Sequence, residues 1–147
     1  MSAVTATDAL ARHFRERVTG TLEAYSTGVT VGSIASPGDV FNTPVVFCLW
    51  QGISVEPGSF ERTHYTISAE AWFDGSVPAT AYATYVAFVD AVRTSIRGNW
   101  TLFGVVTQVS SWSAGQPEDV EVNGKPFVKV PFSFDLLEAG PAVYTAT

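Results

Sequence analysis

The sequence predicts an α+β fold, a mostly antiparallel sheet of four to five strands with two helices packed on one face. Three features predict it. Residues 7–26 and 76–98 repeat apolar side chains at helical spacing. Residues 62–73 and 127–136 alternate apolar and polar side chains, as half-buried strands do. Between two strand-like runs stands Asn123-Gly124, and both residues accept the positive φ of a two-residue hairpin turn. The order helix, strands, helix, strands then gives an α+β domain with its helices on one face of the sheet.

In the first helix, Leu10, Phe14, Val18, Leu22 and Tyr25 form one stripe, Thr7 or Asp8 caps the start, and Gly28 suits the stop. Gly20 weakens it by up to ~1 kcal/mol relative to alanine. Val29–Phe41 reads as a short strand followed by a turn. Pro44–Trp50 is an almost unbroken apolar run between breakers, which predicts a strand buried on both faces. Pro57-Gly58 marks a turn. Thr63, Tyr65, Ile67, Ala69, Ala71 and Phe73 form the apolar face of the next strand. Arg62, His64, Thr66, Ser68, Glu70 and Trp72 form its other face.

Ser76 opens the second helix, with Pro78 in its first turn and Gly98 at its end. Its stripe is Tyr82, Tyr85, Val89, Val92 and Ile96, widened by Phe88, and the two stripes should meet through Phe14, Leu22, Tyr85, Val89 and Val92. Trp100–Trp112 is expected to be strand throughout. The strand after the Asn-Gly turn contains Pro131, which cannot donate a ladder hydrogen bond, so it should lie at an edge or bulge there. Residues 1–138 read as one domain and 139–147 as a C-terminal tail.

Composition narrows the function. At 147 residues the chain has one domain's length, and 46% hydrophobic content is too high for a disordered segment. The lone Cys48 excludes an intrachain disulfide framework. No apolar run approaches the ~18 residues of a membrane span, so no membrane association is expected. The first residues lack the basic flank and apolar run of a signal peptide, so the expected setting is a reducing cytoplasm or an assembly built there. The net charge of −6 disfavours affinity for nucleic acid, and the tightest cationic group, Arg12, Arg15 and Arg17, is interrupted by Glu16. Ten Phe, five Tyr and four Trp are more than such a chain readily hides, which favours an oligomer.

Catalytic signals are sparse. His64 could act as a general base oriented by Glu61 or Glu70, but a lone histidine on a polar strand face is usually solvated or at an interface. His13 has no histidine at i+4, so no metal-ligand spacing exists. Cys48 lies within an apolar run and reads as core. No serine-nucleophile elbow or phosphate loop is present, so no enzyme activity, cofactor or metal is expected. Asn99-Trp100-Thr101 matches a glycosylation sequon by chance. The asymmetric charge feature is Glu118, Asp119 and Glu121 before the hairpin turn, read either as a solvated loop or as a surface that repels phosphate.

The layout is similar to the tail terminator proteins of long-tailed bacteriophages, also called minor tail or tail-completion proteins. The resemblance rests on the N-terminal helix ending near Gly28, the apolar strand Val45–Trp50, and the strand Tyr65–Phe73 ending in Ala-Trp-Phe-Asp-Gly. The helix Ala79–Arg97 and the strands Val105–Trp112 and Phe127–Leu136 complete it. It implies a structural virion protein of the tail or neck, assembled in the host cytoplasm. Such a protein forms a homo-oligomeric ring, typically a hexamer, that caps the tail tube protein and ends its polymerisation. It then meets the head–tail connector or stopper protein, and DNA passes through without specific binding. In such a ring Glu118, Asp119, Glu121, Asn123, Gly124 and Lys125 would project to a neighbour or line the channel. The alternatives are another neck component, or a small-ligand-binding α+β domain.

Overall fold

The computed structural model describes residues 2–18, 23–26, 44–122 and 124–141. Its elements are α1 (Ala3–His13), β1 (Glu23–Ser26), β2 (Val45–Glu56), β3 (Phe60–Asp74), α2 (Pro78–Gly98), β4 (Gln108–Ala114), β5 (Glu118–Val122) and β6 (Lys125–Pro141). The strands form one six-stranded sheet in the order β1-β2-β3-β6-β4, with β5 also pairing β6. Every pairing is antiparallel except β1 with β2. The α+β architecture is as expected, with one strand more than the upper count. Leu22, the strand expected over Val29–Phe41, Gly20 and Gly28 lie outside the described residues.

The extra strand is β1, read from the sequence as the last turn of the first helix. Instead Glu23–Ser26 runs parallel to Val45–Cys48, and Arg15 Nη1 donates to the Ala24 carbonyl at 2.8 Å. The helix itself begins earlier than expected. Ser2, not Thr7 or Asp8, caps it by accepting the Thr5 N–H at 3.1 Å. Thr7 is buried and its hydroxyl donates to the Ala3 carbonyl at 2.7 Å. A serine cap followed by an alanine-rich run favours that start, because alanine is the best helix former. After His13 the chain widens into a π-helical turn over Phe14–Val18.

Both helices pack on one face of the sheet. Tyr65, Ile67, Ala69, Ala71 and Phe73 of β3 and Val128, Val130, Phe132, Phe134 and Leu136 of β6 share a core with Leu10, Phe14, Phe88 and Val92. Phe14 is fully buried at its centre, its ring 6.2 Å from those of Phe88 and Phe132 and 5.8 Å from Phe134. In α2, Tyr85 and Val89 pack on this core as expected, but Tyr82 is 62% exposed and Ala81 takes the inward position. The sheet's other face carries a smaller cluster of Val45, Phe47, Trp72 and Phe127, with Val120 and Val122 against it. Val45–Cys48 are therefore buried on both faces, as their apolar run predicts, whereas Trp50 is exposed.

Residues 100–107, expected as strand, form a turn. Leu102 and Phe103 both have positive φ (46° and 63°) and precede Gly104 at 79°. Such φ values are costly for bulky residues. Side chains pin the turn: Asn99 Oδ1 accepts the Phe103 N–H at 2.9 Å, and Thr101 Oγ1 accepts that of Gly104 at 3.2 Å. Leu102 is fully buried.

β6 is not an edge strand, which corrects the expectation drawn from Pro131. Its pairing with β5 stops at Lys129 and that with β4 starts at Phe132, so Pro131 falls in the gap between them. Its carbonyl accepts the Gly115 N–H at 2.7 Å on that side, and its missing N–H leaves no ladder bond unmade. Residues 139–141, read from the sequence as the start of a C-terminal tail, belong to β6. Ala139, Gly140 and Pro141 continue β6 against Arg62, Glu61 and Phe60, and 142–147 lie outside the described residues.

Gly75 joins β3 to α2 where the chain passes close to β6. A Cβ there would stand 3.0–3.1 Å from backbone atoms of Phe127, and the Gly75 N–H donates to the Pro126 carbonyl at 3.1 Å. Backbone cannot rotate away as a side chain can. Gly75→Ala is expected to destabilise the protein by about 1–3 kcal/mol, measured by denaturant melts. An unchanged midpoint would show that this junction has slack.

Candidate interface at the acidic hairpin

The hairpin forms where Asn123-Gly124 predicts it. Val122 pairs with Lys125, leaving a two-residue turn in which Gly124 has φ 77°. Asn123 lies outside the described residues. The hairpin is packed on the body of its own subunit. Phe127 is buried, and Val120 and Val122 pack on the cluster around it. The sequence reading missed this because Val120 and Val122 are small, and their partners Val45, Phe47 and Trp72 are distant in the chain.

The three carboxylates separate onto two faces. Glu118 lies across from Lys129 in the ladder and pairs with its Nζ at 3.5 Å. Lys129 Nζ also lies 3.8 Å from Glu70 and 5.7 Å from the Trp72 ring centre. Lys125 Nζ sits 5.4 Å from the centre of the Phe127 ring. Asp119 and Glu121 alternate with Val120 and so face the helix side. There they line a cleft of about 580 Å³ with Tyr82, Tyr85, Pro78 and Phe127. The two tyrosine rings meet edge to face at 5.3 Å. Carboxylates beside aromatic rings suit a cationic group, which gains from charge and from the ring faces together.

His64 lies between two carboxylates in this geometry. Its Nδ1 lies 2.9 and 3.1 Å from the two Asp135 oxygens, and its Nε2 lies 3.7 Å from Glu56. Neither Glu61 nor Glu70, weighed as orienting groups, is its partner. Among the described residues no hydroxyl or thiol bonds to it. Cys48 is fully buried, and burial pushes its thiol far above the ordinary range, so the nucleophilic thiolate is suppressed.

His13 is the feature least visible in the sequence. It is fully buried, with Nε2 3.0 Å from Ser95 Oγ and Nδ1 2.9 Å from Asn99 Nδ2. Asn99 Oδ1 accepts from Phe103, so the group facing His13 is the Nδ2 amino group, which can only donate; Nδ1 therefore accepts and Nε2 carries the hydrogen. Ser95 passes its own hydrogen to the Val92 carbonyl at 2.9 Å. Asn99, the sequon residue, thus has its amide nitrogen engaged in the core. A histidine and an asparagine 86 positions apart give no sequence signal of this kind.

Among the described residues no group of three His, Cys, Asp or Glu side chains could hold a metal ion, and no helix is long and apolar enough to cross a membrane. No protein-family model matches the chain, and no curated protein matches it either.

Proposed function

We propose that this protein is a structural subunit of a phage tail, a terminator that assembles as a ring on the tail tube, ends its growth and meets the head-side connector. It performs no catalysis and takes no cofactor. The observation that carries the reading is the amount of large apolar surface left outward. Trp50, Ile53, Val55 and Phe60 are exposed on the β2–β3 hairpin, Val77 caps the start of α2, and Tyr82 and Val86 lie along it. A single histidine tied to carboxylates and a suppressed thiol leave interaction, rather than chemistry, as the use of the surface. A net charge of −6 suits a lumen through which DNA slides without being held.

The test is the native mass of the purified chain, with and without tail tubes, together with electron microscopy of the product. Rings on tube ends, and tubes of uniform length, are the expected result. The acidic hairpin gives a second measurement. Asp119→Asn with Glu121→Gln should leave the melting temperature within a degree or two, since exposed charges contribute little, yet weaken joining of tails to heads if the carboxylates meet a partner. The cleft between Tyr82, Tyr85, Asp119 and Glu121 favours one other reading, a small-ligand-binding domain. A compact monomer at all concentrations, stabilised by small cationic compounds, would establish that reading instead.

A further inference from the structure

We propose that the open edge of β2, Leu49–Glu56, pairs antiparallel with β4 of a second copy of this chain, joining the sheets of neighbouring subunits head to tail. This rests on the ring reading above and adds its seam. β1 covers the outer edge of β2 only along Val45–Cys48, whereas β3 pairs with β2 as far as Glu56. Among the described residues nothing pairs with the remaining edge. Exposed edges are normally guarded by lysine or proline, yet Leu49–Glu56 contains neither, and only a one-residue bulge at Gln51 interrupts it.

Pro131 fixes which groups point outward. Its carbonyl faces β4 and β5, so its partner Glu70 directs its own N–H and C=O toward β2. Alternation from Glu70 along β3 and across the pairs Trp50–Ile67, Ile53–Tyr65 and Val55–Thr63 leaves the amides of Trp50, Ile53 and Val55 pointing away from β3. These three side chains are 42%, 54% and 47% exposed. The backbone groups that seek a partner strand and the apolar groups that seek cover therefore belong to the same residues.

The matching edge is on the opposite side of the sheet. Among the described residues β4 pairs only with β6, and no residue of Gln108–Ala114 is charged. The Val109 N–H is already given to the Trp100 carbonyl at 2.7 Å and the register shifts at Ser110, so among the described residues the regular free stretch is Ser111–Ala114. It is one residue shorter than the regular stretch Gly52–Glu56 beyond the bulge in β2. β5, on the same side, is excluded by Glu118, Asp119 and Glu121, which would face Glu56 with like charge. β4 runs opposite to β6 and β6 opposite to β3, so a neighbour placed in the same orientation brings β4 antiparallel to β2. Joining two different edges makes a heterologous contact, the kind that closes into a ring.

Val55→Pro removes an outward N–H and leaves the β2–β3 ladder intact. It should convert rings to folded monomers with a melting temperature within a few degrees of the parent monomer's. Ser54 and Ser111 both direct their backbone groups inward, so across this seam they would face each other at the close Cα spacing that suits a disulfide. The Ser54→Cys, Ser111→Cys double variant, oxidised at millimolar concentration, should give a ladder of linked chains. Each single variant alone should stay unlinked. Abundant dimers of Ser54→Cys alone would mean two-fold pairing through β2 and overturn the head-to-tail seam. Parent rings that persist in Val55→Pro, with no disulfide in the double variant, would overturn the seam and leave the ring reading standing. A parent that never forms rings, with no disulfide trapped, removes both.

Discussion

Replacing Val92 with Asp is expected to remove a large share of the subunit's folding free energy. Val92 is fully buried on the inner face of α2, and its backbone carbonyl accepts the Ser95 hydroxyl that supports His13. Its neighbours in the core are apolar, Phe88 and Ile96 on its own helix and the β3 and β6 rows beneath. An uncompensated buried charge typically costs ~3–5 kcal/mol, against a total of about 5–15 kcal/mol for a domain. The melting temperature should fall by about 10 °C or more at this chain length. Tyr82→Asp is the control. The sequence stripe puts Tyr82 in the core and the structure leaves it mostly exposed, so that variant should lose only its ring contact with Tyr85 and melt within about 5 °C of the parent. If the two variants behaved alike, the inner face of α2 would be misassigned.

The same pair of residues shows what periodicity can and cannot read. A stripe at spacings of three and four defines a face only to within about one residue, because 100° per residue leaves neighbouring rows close together. Val92, Ile96 and Phe88 fall within that tolerance and Tyr82 falls outside it. Alternation over Arg62–Phe73 does better, since a period of two has only two faces to choose between. The Asn-Gly turn is legible because its backbone requirement is local. The failures have two causes. β1 and the interior position of Pro131 depend on partners far along the chain, whereas the turn over residues 100–107 is set by the Asn99 and Thr101 side chains, which an apolar pattern does not report. Pro131 sits in a gap created jointly by β4 and β5, which no local rule reports. Of the candidate site, the hairpin was legible and its packing was not. The division of Glu118 from Asp119 and Glu121 follows directly from strand alternation.

Acidification should unfold this protein earlier than its carboxylates alone require, and His13 is the reason. Burial, aided by the Arg17 charge, lowers its pKa from 6.5 to about 4. The folded state therefore holds the neutral ring while the unfolded chain binds a proton as pH falls below 6.5. Stability from this residue is fully present above pH 6.5 and is lost as pH falls toward 4, in total about 2–3 kcal/mol. The hydrogen bonds give the same sign. A protonated ring has two donors, and Nδ1 would then turn its hydrogen toward the Asn99 amide, which also donates. His13→Gln isolates the effect, because a glutamine amide can accept from Asn99 and donate to Ser95 at every pH. Chemical denaturation from pH 7 to pH 4.5 should show the parent losing about 2 kcal/mol more than the variant, whatever their difference at pH 7. Parallel curves would mean that water or a shift of the Thr101–Thr107 turn relieves the charge. Between those outcomes, the slope alone decides whether the contact between α1 and α2 is held by a neutral imidazole.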